Sequence, residues 1–210
     1  MFSHISLPPK PTSFLLRGTE TSASNIPTSQ DVPTALNGLF SGSSAKDLYG
    51  GGTNVSSISF SGNALSNISA SFSGCLVSGV NIYAPALTNS SNAFINSTIK
   101  TFSISSDTSS IQNMNGMFDG CNSLNNDFTG FSLAGISSNN LNTFMRGVTL
   151  SNANYNKILV YWNSNKASYP YNNIIIHMGN SRCDTTSGGA NGIAAKLALI
   201  NYGWTITDGQ

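Results

Sequence analysis

Short alternating apolar segments interrupt an otherwise polar chain: Ile58-Ser-Phe60, Val80-Asn-Ile82-Tyr83, Phe102-Ser-Ile104 and Phe128-Thr-Gly-Phe131. Apolar residues at every second position turn one face of an extended segment inward, so each reads as a half-buried strand. About fourteen residues after each segment begins comes an isolated Phe. These are Phe72, Phe94, Phe118 and Phe144, spaced 22, 24 and 26 residues apart. Each has an Asn five residues before it: Asn67, Asn89, Asn113 and Asn139. Leu65, Leu87 and Ile111 fall seven residues before the first three. Gly74 and Gly120 lie two residues after, with Asn96 in the same slot, while Gly147 has slipped to three after Phe144. A period of this size marks a repeat array. One unit cannot close a core alone, so the Phe residues are expected to stack into one column.

The pattern changes after residue 147. Ser151 is a candidate N-cap, and Tyr155, Ile158, Leu159 and Trp162 follow helical spacing. A strand is predicted over 173–178. A helix is predicted over 190–202, with Ile193, Ala194, Leu197 and either Ile200 or Asn201 on one face, the one expected to be buried, and Gly203 as its stop. A last strand runs from Trp204 to Thr207. At the other end, Pro8, Pro9 and Pro11 exclude a helix and suggest an extended arm. Short strands are expected at Phe14-Leu15-Leu16 and Asp47-Leu48-Tyr49, with a turn at Gly50-Gly51-Gly52.

Composition sharpens this picture. Only 8% of the 210 residues are charged, against about 25% in ordinary domains. Ser and Asn together make up about 30% of the chain, so hydroxyls and amides must cover the surface. The recurring aromatics argue against disorder. A net charge of +1 with no basic run gives no field for nucleic acid or anionic membrane. No apolar run has the length to span a membrane. The first ten residues lack the charged and apolar regions of a secretory signal, so none is expected. Three cysteines, Cys75, Cys121 and Cys183, are an odd number, and no disulfide framework is expected. Cys75 and Cys121 share one offset and read as small buried residues.

Three stretches resemble known families. Asn113-Met-Asn-Gly-Met-Phe-Asp-Gly-Cys121, continuing to Asn125, resembles the BspA-type surface repeat, a divergent leucine-rich-repeat class. The run from Leu150 to Trp162, with Tyr202-Gly-Trp-Thr-Ile-Thr-Asp-Gly209, resembles the C-terminal end of such proteins in bacterial surface and phage proteins. Residues 14–19, 25–28 and 45–55 resemble the small N-terminal module of phage tail-fibre proteins, though Leu39 stands where that module has Glu and Asp47 interrupts its Lys-Leu-Tyr. The first two resemblances imply a leucine-rich-repeat-like solenoid with a terminal cap, used for attachment. The third implies anchoring to other virion proteins through residues 1–57, with a homotrimer as the assembly.

Candidate chemistry is sparse. His177, Cys183 and Asp184 do not make the four paired ligands of a zinc site. Asp119 and Asp127 are the carboxylates that a polysaccharide-degrading tailspike would need, although Asp119 also reads as a turn residue. No catalytic, cofactor or metal site is expected. Tyr169 and Tyr171, flanking Pro170, are candidate surface contacts for a glycan or protein.

The sequence therefore predicts a mainly β protein. Residues 1–57 form an arm and anchoring β module, residues 58–147 a short leucine-rich-repeat-like β-solenoid, and residues 148–210 an α+β cap. The expected function is a non-enzymatic virion protein of a tailed phage, either a tail fibre or a capsid decoration subunit. It would bind other virion proteins and a host surface glycan or protein, but no nucleic acid or membrane. The alternative is an adhesin at a bacterial cell surface.

Overall fold

The computed structural model describes residues 57–209. The arm and β module read in residues 1–57 lie outside the described residues, except that Ser57 begins the first strand. Strands β1 (Ser57–Ser61), β2 (Gly79–Tyr83) and β3 (Thr101–Ile104) form a parallel sheet in chain order. Ile58 lies opposite Val80, and Val80 opposite Phe102. Each strand pairs with the residue 22 positions on, which equals the first Phe spacing; the two extra residues of the second spacing fall between β3 and Phe118.

The crossovers in this sheet are successive tight turns and contain no helix. Leu65, Ser71 and Cys75 each donate an N–H to the carbonyl three residues back. Other donors bond to the next layer. Phe72 N–H donates to Ala93, Phe94 to Met117 and Phe118 to Phe144, at 2.8, 3.0 and 2.9 Å. Buried backbone groups must find partners, and here a chain almost without strands finds them in the layer alongside. The recurring Gly74, Asn96 and Gly120 have φ of 64°, 57° and 74°. The left-handed region favours Gly and tolerates Asn, which explains the slot. At Gly120 a Cβ would also come within 2.1 Å of Asn96 Oδ1.

Inside, Phe72, Phe94, Phe118 and Phe144 are fully buried. Phe72 and Phe94 stack at 5.3 Å with planes 12° apart, and Phe94 and Phe118 at 5.7 Å and 9°. Phe118 meets Phe144 edge-on at 5.7 Å and also touches Phe102 and Phe128.

A second parallel sheet contains β4 (Asn140–Leu141), β5 (Ile175–His177) and β6 (Thr205–Thr207), again in chain order. Here helices make the crossovers, as parallel strands usually require. Helix α1 (Asn152–Asn165) is capped by Ser151 and buries Tyr155, Ile158, Leu159 and Trp162. Helix α2 (Gly192–Tyr202) starts at Asn191, whose side chain accepts from Ala194 N–H, and ends at Gly203 with φ 119°. The two helices pack together, so both crossovers lie on one side of the sheet.

Three expectations are corrected. The mainly β solenoid class gives way to α+β structure, with 15% of residues in strands and two small parallel sheets. The physical reason is that turns and helices, not strands, make up most of each layer. The strand expected at Phe128–Phe131 is a turn: Asp127 Oδ1 accepts the Thr129 N–H at 2.9 Å, Gly130 has φ 93°, and Phe131 N–H bonds back to Phe128. The buried face of α2 is also different. Ala195 and Leu199 point inward, while Ile193, Leu197 and Ile200 are 41%, 55% and 42% exposed. The helix is turned so that Lys196 reaches Asp208 at 2.7 Å. Asp208 is almost wholly buried and also accepts from Tyr155 Oη at 2.7 Å. A buried carboxylate left unpaired costs more than an apolar stripe left in water.

Because Phe118 touches four other rings, Phe118→Ala should lower the unfolding free energy by about 3–5 kcal/mol. Phe144→Ala removes a ring with two such partners, so its loss should be smaller by roughly 1 kcal/mol. Urea denaturation of both variants checks the order, and equal losses would count against ring stacking as the source.

Candidate functional site

The layered surface is built from one short-range device. Asn67 Oδ1 accepts the N–H of Ser69, Asn89 that of Ser91, and Asn113 that of Asn115, at 2.8, 3.1 and 3.2 Å. These Asx-type bonds start the turn that carries each Phe inward. The three Asn backbones also bridge one another in parallel. At the fourth Phe the device slips by one residue: Asn140, not Asn139, accepts the N–H two residues on, from Asn142 at 3.2 Å. Asn139 donates through Nδ2 to Asn173 O at 3.2 Å. The slip of Gly147 in the sequence was the visible sign of this change of register. Elsewhere the ladder is polar: Ser69 and Ser91 hydroxyls meet at 3.0 Å, and Asn81 donates to Ser59 at 3.1 Å.

Of the candidate contacts Tyr169 and Tyr171, the first is placed differently from the expectation. Tyr169 is 7% exposed and packs on Trp204 at 6.1 Å, so it offers no surface. Its ring completes an aromatic cluster with Trp162, where the apolar body outweighs the hydroxyl. Tyr171 is partly buried and donates to Ser137 O at 2.8 Å.

Every described carboxylate has protein donors. Asp119 is gripped by Arg146 through Nε at 3.0 Å and Nη2 at 2.6 Å. This pair ties the corner after Phe118 to the next layer. Asp127 receives Lys157 Nζ at 2.9 Å and the Thr129 N–H. Desolvation alone would raise its pKa, but the bonds from Lys157 and Thr129 outweigh it and hold the carboxyl at about 2. Asp107 lies below its usual range because the Ser109 hydroxyl and N–H bond to it. Asp184 is held well below the carboxylate range, chiefly by the Ser187 hydroxyl and then by Asn152, the Ser187 N–H and Asn156. Asp119 and Asp127 thus pair with different cations.

The remaining reactive groups are structural in setting. His177 Nδ1 accepts the Gly179 N–H at 3.0 Å. Burial pushes the thiols of Cys75 and Cys121 up to about 11 and raises that of the half-buried Cys183. All three cysteines are free. Among the described residues no group of three or more His, Cys, Asp or Glu side chains could hold a metal ion.

A concavity lies beside β3. The turn at 126–131 sits where a fourth strand was expected and leaves a groove of about 260 Å³, open on one side. Phe102, Phe128 and Phe131 form its base, and Ser103, Ser106, Asn126 and Thr129 supply polar walls. Asn126 Oδ1 accepts the Phe102 N–H at 3.1 Å, closing part of the strand edge. Sequence reasoning missed these groove residues because it took 128–131 for a strand; Asp127 and Gly130, both turn formers, were the available signal.

Two outcomes follow from this geometry. First, Asn140→Ala should destabilise the fold by about 1 kcal/mol, and Asn139→Ala by less than half of that; thermal melts of the pair check the register, and the opposite order would refute it. Second, Asp107, Asp127 and Asp184 all have lowered folded-state values. Their stabilisation is present above the unfolded carboxylate value and lost as pH falls through the folded one. The Tm should therefore hold down to about pH 5 and fall between about pH 4 and pH 2, less steeply in Asp184→Asn. Calorimetry across that window decides it, and a flat Tm would overturn the assignment. Set against protein-family models, curated proteins and solved structures, the chain matches none.

Proposed function

We propose that this chain is a non-enzymatic structural and attachment protein of a tailed-phage virion, with residues 1–57 contacting other virion proteins and the later residues displayed outward. The observation that carries this reading is the division of labour among side chains. Aromatic and aliphatic residues fill a continuous interior. The five described carboxylates are all engaged by structural donors. What is left facing outward is mostly hydroxyl and amide. General acid–base or nucleophilic catalysis needs a group poised to exchange protons with a substrate, whereas a carboxylate already bonded by Arg146 or Lys157 is poised to hold two layers together. A charge-poor polar surface suits weak contacts multiplied over copies.

The resemblance of residues 113–125 to a surface repeat favours a second reading, a bacterial adhesin of the same construction. One experiment separates them. Heads and tails of purified particles, and the cell-surface fraction of the host, are examined for this chain by mass spectrometry. Presence in heads supports a decoration subunit, and presence in tails supports a fibre. Presence only at the cell surface transfers the reading to the adhesin.

A further inference from the structure

We infer that the groove beside β3 is a binding site for a neutral sugar residue of a surface glycan. This inference rests on the attachment reading and gives it a location.

The argument begins with the strand edge. In a parallel ladder alternate residues bond to the same neighbour. Thr101 N–H donates to Ser78 O, just before β2, and Ser105 N–H to Ile82 O within it, so Phe102 and Ile104 turn their backbone groups the other way. Asn126 Oδ1 occupies the Phe102 N–H. Among the described residues no protein group bonds to the N–H or C=O of Ile104, which lines the groove. A donor and an acceptor side by side therefore face into the concavity. The walls add the Ser103 hydroxyl and Asp127, which retains acceptor capacity beside its bonds to Thr129 and Lys157.

Size and charge narrow the occupant. At about 260 Å³ the groove is smaller than sites for drug-sized ligands and suits one ring. Lys157 balances Asp127, so there is no net charge to select an ion. The aromatic residues at the base are only 3–4% exposed, which leaves recognition to hydrogen bonds. A compact non-ionic polyol with donors and acceptors at every carbon matches those walls. A peptide strand added to the β3 edge is disfavoured, since the turn at 126–131 stands in its path and Asn126 has taken its first hydrogen bond.

The test is a titration of the ¹⁵N-labelled full chain with D-glucose, D-galactose and D-mannose, read from amide shifts. At least one sugar should move the Ile104, Asn126 and Thr129 amides saturably, with Kd of about 1 mM, as expected for a ligand of about a dozen non-hydrogen atoms. Ser103→Tyr, at an exposed strand position, should weaken this at least tenfold while the distant amides stay in place. Asp127→Asn, which keeps the side-chain shape, should weaken it severalfold. The inference is overturned if none of the three sugars shifts those amides, if both variants bind as well as the parent chain, or if an extended Thr-Val-Thr-Val peptide shifts Ile104 where no sugar does. Binding of the labelled chain to host cells is measured alongside. Cell binding without sugar shifts sinks the groove and leaves the attachment reading standing; sugar shifts without cell binding do the reverse.

Discussion

The near-parallel stacking of Phe72, Phe94 and Phe118 sets the geometry of the first half of the molecule. Rings 5.3 and 5.7 Å apart, with planes within 12°, demand that successive layers sit directly over one another. That demand is met with a strand register of 22 residues, the two extra residues before Phe118 falling in the turns after β3, and it aligns the N–H of each of these three Phe with a carbonyl of the following layer. Strand pairing alone is too short to do this, since the strands of the first sheet are only four or five residues long. Aromatic packing holds the layers, and the backbone bonds follow.

The second half depends on buried polar groups. Asp208 collects Tyr155 and Lys196 from the two helices. Asn156, fully buried, joins Asp184 to the carbonyls of Ser187 and Ala190. These contacts choose the rotation of α2 against its own apolar pattern. Trp162 then links the halves through a 2.9 Å bond from Nε1 to Phe131 O.

Much of the local structure was legible in the sequence, and the reason is physical. Phe at a fixed spacing, Asn at turn starts, Gly or Asn at left-handed φ, Ser151 and Gly203 at helix ends each act within a few residues. What was not legible depended on distant partners. The inward face of α2 needed knowledge of Asp208. The shift from Asn139 to Asn140 needed the pairing of β4 with β5. Tyr169 looked like a surface aromatic because Trp204, which covers it, lies far along the chain. The fold class was misjudged because alternation was taken to mean strands throughout, whereas turns perform most of the crossing. The groove was invisible for the same reason.

The direction of the interlayer bonds has a mechanical consequence. They run along the stacking axis, and the chain enters at the first layer and leaves at the last described one. Tension applied across the molecule from end to end loads one interlayer row at a time, in peeling rather than in shear. Resistance then falls to the ring contacts and to cross-ties such as Arg146–Asp119. A stack of this construction yields in small successive steps, and dissipates a pull instead of snapping at a single threshold.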